Sequence, residues 1–328
     1  MLPTPRSFIS RVAPAVLALI GLAEGKGISE LLYQYNEPTW IENLAVRGNG
    51  LILPATATSA VLTELSLVDG HARTVANESG VGNAIMGITE VLPDLFAMNT
   101  MYCNLTTLSV GIYGTGITWS VDLCKKSPII RKLAQGPSPT SVLNGMAALN
   151  EKTILIVDQA LGGVWAIDLY SGSINLVIQD DSMADPSNQA NGVNGIRVRL
   201  GVLYYNNPAL GTFARIPIDP RTGKKTGEAE VIASGLEPDD FEIDDRKSVA
   251  YLTNGAANTL VKIDLKTGHY DVIVEDLPGP TTARWIDPDG AQNEALYVAT
   301  TGGYPQWLEG NPTVGGAIYK VTLEDCFT

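Results

Sequence analysis

Histidine is almost missing: the 328 residues hold two, His71 and His269. A zinc site built on three histidines is impossible, and any His-dependent triad has only two candidates. Cysteine is nearly as scarce, with three. None has a neighbouring His in sequence, so no cysteine nucleophile is expected. Basic charge is short: 22 Lys and Arg against 35 Asp and Glu leave a formal net charge of −13. That argues against a nucleic-acid backbone and an anionic lipid surface as partners, because both need basic protein surface. Beyond the N-terminal segment no run is long and apolar enough for a membrane helix. The apolar spacing of three and four that marks a helical solenoid is also missing.

What is present suits a folded β protein. Hydrophobic residues make up 45% and charged residues 17%, which is ample for a core. The 33 Gly and 19 Pro supply many turns and favour short strands. Met1 to Arg11 carries Arg6 and Arg11 and no acid, and Val12 to Ala23 is apolar with small residues at its end. Residues 1–23 therefore read as a secretory signal peptide, the alternative being an N-terminal helix packed on the domain. Asn77 and Asn104 begin acceptor sequons and are glycosylation candidates. Cys103 and Cys124 flank the hairpin-like stretch Leu108 to Leu123, so a disulfide across it is expected, leaving Cys326 unpaired; three inert thiols are the alternative. Secretion, or residence in the secretory pathway, is the expected location.

The length would suit two domains, but the chain repeats. Thr153 to Ile178 reads strand, short turn, strand, Ser-Gly turn, strand. Gly201 to Ile218 and Ser248 to Val274 read similarly, and three weaker copies contain LILPA, LFAMN and ALYVATT. Aligned positions fall at Pro54, Asn99, Asp158, Asn206, Asn254 and Thr300, with gaps of 45, 59, 48, 48 and 46 residues. A second ruler through Ser66, Asp122, Asp168, Pro217, Asp264 and Thr322 also counts six. A repeat of this size with about four strands per unit is that of a propeller. The expectation is an all-β, six-bladed β-propeller over residues 24–328, one domain. The segment ISELLYQY, Ile28 to Tyr35, is expected to supply an outer strand to the last blade and so remove an open edge.

In a propeller, polar residues at the entry of each innermost strand converge on one mouth of the central channel. That position reads Glu42-Asn43, Glu90, Asn144-Gly145, Asn194-Gly195, Asp239-Asp240 and Thr281-Thr282 with Arg284. Carboxylates and amide oxygens suit a hard cation. They also suit acid–base chemistry, because clustered carboxylates raise one another's pKa. Asn-Gly and Pro-Asp-Asp are also common turn sequences, which is the competing account of each.

With these residues in place, the blades resemble the gluconolactonase and senescence-marker superfamily. There a Glu, two Asn and an Asp hold a divalent ion that polarises a lactone carbonyl. The resemblance puts those roles on Glu42, Asn144, Asn194 and Asp239. The phrases WIENLAVRGNGLILP, GITEVLPDLFA, LNGMAAL, EPDDFEID, GPTTARW and LYVATTGG, spread over residues 40 to 303, resemble a fungal branch. That branch contains the hetero-Diels–Alderases of tropolone sesquiterpenoid biosynthesis. Glu42-Asn43-Leu44 and Asp239-Asp240 stand where the lactonases have Glu-Gly-Pro and Asp-Gly, and both changes crowd the metal position.

The resemblance thus implies a secondary-metabolic pericyclase that requires no cofactor. Its implied partners are small hydrophobic terpenoid and tropolone substrates, with Glu42, Asp239 and Asp240 catalytic and Asn43, Asn144, Asn194, Thr281 and Arg284 binding substrate. A lactone hydrolase with Ca²⁺ or Mg²⁺ on Glu42, Asn144, Asn194 and Asp239, and a non-catalytic secreted binding propeller, are the alternatives.

Overall fold

The computed structural model describes residues 27–106, 111–138, 141–286 and 295–323. The signal-like segment 1–23 and Cys326 lie outside the described residues. β1 (Ile28–Gln34) comes first in the chain and is held back for the last blade. The first blade holds β2 (Ile41–Val46), β3 (Ile52–Thr56), β4 (Val61–Leu65) and β5 (Ala72–Asn77). The second holds β6 (Ala84–Leu92), β7 (Leu95–Met101), β8 (Ile117–Asp122) and β9 (Ile129–Gln135). The third holds β10 (Leu143–Asn150), β11 (Thr153–Asp158), β12 (Gly163–Asp168) and β13 (Ile174–Gln179). The fourth holds β14 (Ile196–Arg199), β15 (Val202–Asn207), β16 (Thr212–Pro217) and β17 (Glu230–Ser234). The fifth holds β18 (Pro238–Asp244), β19 (Val249–Asn254), β20 (Thr259–Asp264) and β21 (Tyr270–Val274). The sixth holds β22 (Pro280–Trp285), β23 (Ala295–Thr300) and β24 (Ala317–Thr322), with β1 added at its outer edge.

Each blade is an antiparallel sheet of four strands, in chain order in the first five, and in the sixth β1 pairs β24 from Ile28↔Thr322 to Gln34↔Ala317. The inner strands touch in a closed ring, β2–β6–β10–β14–β18–β22 and back to β2. All six aligned positions of the first ruler fall in the second strand of a blade. Those strands read as solid apolar runs because neighbours cover both faces; β11, TILIVD, is buried from Ile154 to Asp158. The outermost strands are largely open to water. The third-to-fourth-strand turns are local in origin. Asp168, Asp219 and Asp264 each accept backbone N–H groups two and three residues on. The glycine four residues on, Gly172, Gly223 or Gly268, then takes a positive φ of 69 to 74°.

The second-to-third-strand loops are 57–60, 159–162, 208–211 and 255–258 in four blades, but 102–116 and 301–316 in the second and sixth. The last of these carries the single turn of helix α1 (Tyr304–Leu308). The two long loops meet: Leu105 packs into one apolar cluster with Cys103, Trp40 and Trp307, and Thr106 lies beside Gly310.

The expected Cys103–Cys124 disulfide is not formed; both thiols are free, Cys103 buried and Cys124 exposed. The register explains this. β7 and β8 pair Leu95 with Asp122 and Thr100 with Ile117. Cys103 therefore follows one end of the hairpin and Cys124 the other, about 25 Å apart at the rise of an extended strand. Two cysteines that flank a strand in sequence sit at its opposite ends. Asn77 and Asn104 are both exposed.

Candidate active site at one mouth of the channel

The inner strands crowd so closely at the axis that three of them carry glycine there. A Cβ on Gly87 would collide with the Asn144 carbonyl, one on Gly145 with the Asn194 carbonyl, and one on Gly195 with the Asp240 carboxylate. At this spacing only a few side chains enter the channel, and strand alternation decides which way each faces.

Glu42, Asn144, Asn194 and Asp239 come together at the mouth and line a cavity of about 270 Å³. Glu42 and Asn144 are buried, and Asp239 lies nearer the rim. The Trp40 indole N–H donates to Glu42 Oε2 at 2.7 Å, and Asn144 Nδ2 donates to Glu42 Oε1 at 3.3 Å. Asn144 Nδ2 also donates to Gln159 Oε1 at 3.2 Å. Across the mouth Asn194 Nδ2 donates to Asp239 Oδ1 at 3.1 Å.

Asn43 and Asp240, expected in the same cavity, face the other way. They form a buried layer with Arg197, Arg284 and Thr282. Asp240 Oδ2 accepts from Asn43 Nδ2 at 2.9 Å, from Arg284 Nη2 at 3.1 Å, from Arg197 Nη2 at 3.2 Å and from Thr282 Oγ1 at 3.2 Å. The Phe241 backbone N–H donates to Asp240 Oδ1 at 2.8 Å. The reason is the two-residue period: Glu42 and Asn43, or Asp239 and Asp240, are consecutive along an inner strand and point to opposite sides. Thr281 is turned away from the mouth and donates to the Ile41 carbonyl at 2.7 Å. Glu90 lies near the far end of β6, where it accepts from the Asp94 backbone N–H at 2.9 Å. With Arg197, Arg199, Glu242 and Arg284 it lines a second cavity of about 250 Å³. In the second blade the position matching Glu42 belongs to Met86, next to Gly87.

Burial dominates the acidities. Glu42 is pushed up to about 7 by desolvation, against the opposing hydrogen bonds of Trp40 and Asn144, with Asp240 adding repulsion. Asp239 is raised well above the usual carboxylate range by desolvation and by the charges of Glu42 and Asp240. Desolvation also raises Asp240, but the Arg197 guanidinium and the hydrogen bonds from Phe241, Asn43 and Thr282 oppose it. Asp240 is the ion-pair partner of two arginines, whereas Glu42 and Asp239 share the mouth without a cation among the described side chains.

Four oxygen-bearing side chains, two of them carboxylates, fit a hard divalent cation by donor chemistry. Both amides now turn nitrogen toward a carboxylate, so each would have to present its carbonyl oxygen instead. Among the described residues no group of three or more His, Cys, Asp and Glu could hold a metal without those amides.

An aromatic wall faces the acids, and the sequence reading did not include it. The Trp40 ring meets Tyr304 edge-on at 5.4 Å and Trp307 at 5.8 Å. Tyr304 and Gln159 also line the mouth. For Trp40 the available signal was its place two residues before Glu42, on the same face of an extended chain. Tyr304 had none, because it arrives on a loop from the opposite end of the chain.

No family model matches the chain. In fold it is a six-bladed propeller. It superposes on a luciferin-regenerating enzyme at a TM-score of 0.65 with 12% identity, covering 90% of this chain and 95% of that one. It also superposes on regucalcin, a calcium-binding protein from Agrobacterium tumefaciens, at 0.64 with 16% identity and the same coverages. In sequence the chain is similar to a protein from Phoma described as a "Putative hetero-Diels-Alderase", 25% identical over 58% of this chain and 61% of the relative. A protein of like description from Sarocladium schorii is 24% identical over 58% of this chain and 54% of the relative. The chain thus spans little more than half the length of the curated relatives it matches, and the resemblance to hetero-Diels–Alderases read from its phrases stands.

Proposed function

We propose that the chain is a hetero-Diels–Alderase of secondary metabolism that joins a tropolone-derived quinone methide to a humulene-type alkene. The observation that carries this reading is the pairing, in one mouth, of a buried carboxyl that holds its proton near neutrality with an aromatic wall. The resemblance to named hetero-Diels–Alderases supports it.

The chemistry begins with a hydroxymethyl tropolone. Glu42 gives its proton to the leaving hydroxyl, the C–O bond breaks and water departs. The tropolone hydroxyl gives its proton back to the carboxylate pair, leaving a neutral quinone methide. Its O=C–C=CH₂ unit then adds across the alkene, forming one C–O and one C–C bond with no further proton transfer. Holding two partners in a reactive pose supplies up to about 7–11 kcal/mol in well-oriented systems. Asn194, whose amide has a second N–H beyond its bond to Asp239, orients the oxygenated ring, while Asn144 holds Glu42 and Gln159 in place.

The test compares Glu42→Gln and Asp239→Asn with wild type on the hydroxymethyl precursor and on an independently generated quinone methide. Both variants should be slowed on the precursor and keep their rate on the quinone methide. Full activity of both on the precursor sinks the acid-assisted mechanism.

The oxygen set favours one second reading, a lactone hydrolase with Ca²⁺ or Mg²⁺ on Glu42, Asn144, Asn194 and Asp239. The ion would supply Lewis acidity toward a lactone carbonyl. Lactone hydrolysis that is lost on chelation and restored by either ion would favour it. An open mouth gives no support to the non-catalytic reading. Passage through the secretory pathway is part of the proposal, and N-terminal sequencing of protein from the native host tests it.

A further inference from the structure

Tyr304 lines the mouth, and among the described residues no hydrogen bond reaches its hydroxyl. The acids and amides beside it are engaged: Glu42 by Trp40 and Asn144, and Asp239 by Asn194. Tyr304 is nonetheless close enough to Glu42 and Asp239 to feel both charges. Its ring is held firmly. Gly302 and Gly303, at φ of 82 and 137°, turn the chain into α1 through conformations that favour glycine. Pro305 follows inside the helix, Trp307 Nε1 donates to the Thr301 carbonyl at 2.9 Å, and the Trp40 ring packs against the phenol. A fixed donor without a protein acceptor, on a residue that lines an open cavity, is the arrangement expected of a group that serves a ligand oxygen.

We infer that Tyr304 is a catalytic hydrogen-bond donor to the carbonyl-type oxygen of the substrate's oxygenated ring, an inference that rests on the pericyclase reading. In that reaction the ring oxygen becomes the carbonyl end of the heterodiene. A donor on it draws electron density from the diene and favours attack by an electron-rich alkene. No proton is transferred: burial and the two acids push the phenol up to about 12, so it remains a donor. The carboxylates beside it disfavour an anionic ligand, so the oxygenated partner bound here is the neutral form.

The test uses Tyr304→Phe, which removes only the hydroxyl and keeps the ring against Trp40; melting temperature and circular dichroism should match wild type. Three quantities are measured: adduct formation from a preformed quinone methide and humulene, affinity for unsubstituted tropolone, and affinity for humulene alone. The variant should form adduct about 10- to 100-fold more slowly, as for loss of one transition-state donor. It should bind tropolone about 5- to 10-fold more weakly, as for loss of one hydrogen bond, and humulene equally well. Wild-type rate and wild-type tropolone affinity in the variant overturn the inference. A wild-type protein that forms no adduct at all overturns the pericyclase reading instead, and the tropolone titration then judges the donor by itself. Equal affinities sink it, and weaker binding by the variant retains it.

Discussion

Trp40 donates its indole N–H to the Glu42 carboxylate at 2.7 Å, two residues along one extended stretch of chain. The same ring packs on Tyr304 and Trp307, so one side chain joins the acid of the mouth to its aromatic wall. The bond favours the ionised carboxylate and holds Glu42 below the value that burial alone would set. In the proposed reaction Glu42 acts protonated, so the rate on the hydroxymethyl precursor should fall as pH rises through about 7. Trp40→Phe removes the donor, raises that pKa and should move the falling limb to higher pH. A pH–rate profile checks this; a limb that stays put or moves down contradicts the role given to Trp40.

Stability should follow the same proton. Glu42 titrates at about 7 in the fold against 4.5 ordinarily, so the folded state binds the proton more tightly. Its contribution is fully present below about 4.5 and is lost as pH rises through about 7. Asp239 acts in the same direction, while Glu64, Asp168 and Asp264, held low, titrate below this window. Melting temperature should therefore decline across the window in wild type and decline less in Glu42→Gln. Parallel curves for the two proteins would refute the assignment.

Asp239 and Asp240 are neighbours with opposite consequences. Asp240→Asn leaves Arg197 and Arg284 buried without their carboxylate and should cost about 3–5 kcal/mol, as for a broken buried ion pair. Asp239→Asn removes a carboxylate that repels Glu42 and should leave stability unchanged or raised. Denaturant midpoints measured side by side decide it; equal losses would mean that both residues are structural.

Gly145→Ala drives a methyl into the Asn194 carbonyl, which is backbone and cannot swing aside. A loss of about 1–3 kcal/mol or more is expected from overpacking, together with a distorted mouth. A variant as stable as wild type would show that the inner strands have room to part.

The thiols should differ in chemistry. Cys124 is exposed, whereas Cys103 is buried, with its thiol raised by desolvation and by Glu42. Native protein should alkylate at Cys124 well before Cys103, and Cys124→Ser should not lower the melting temperature. Recovery of a Cys103–Cys124 cross-linked peptide from unreduced protein would contradict the structure.

Six blades could be read from the chain because the blade is a local device. An apolar strand, a polar turn and an Asp three residues ahead of a glycine's neighbour recur at near-constant spacing, and each acts through residues close in sequence, as at Asp168 and Gly172. The convergence of Glu42, Asn144, Asn194 and Asp239 was legible for the same reason, since equal places in successive blades return to one mouth. Which member of each polar pair faces that mouth was not legible. A slip of one residue exchanges the two faces of a strand, and only the pairing of β2 with β3, or of β18 with β19, settles the register. The aromatic wall lay further out of reach. Trp40 and Tyr304 are separated by nearly the whole chain, and ring closure brings them together once β1 has sealed the last blade. Long-range contact of that kind depends on how the blades pack and on where two long loops meet, and neither is written in any local stretch of sequence.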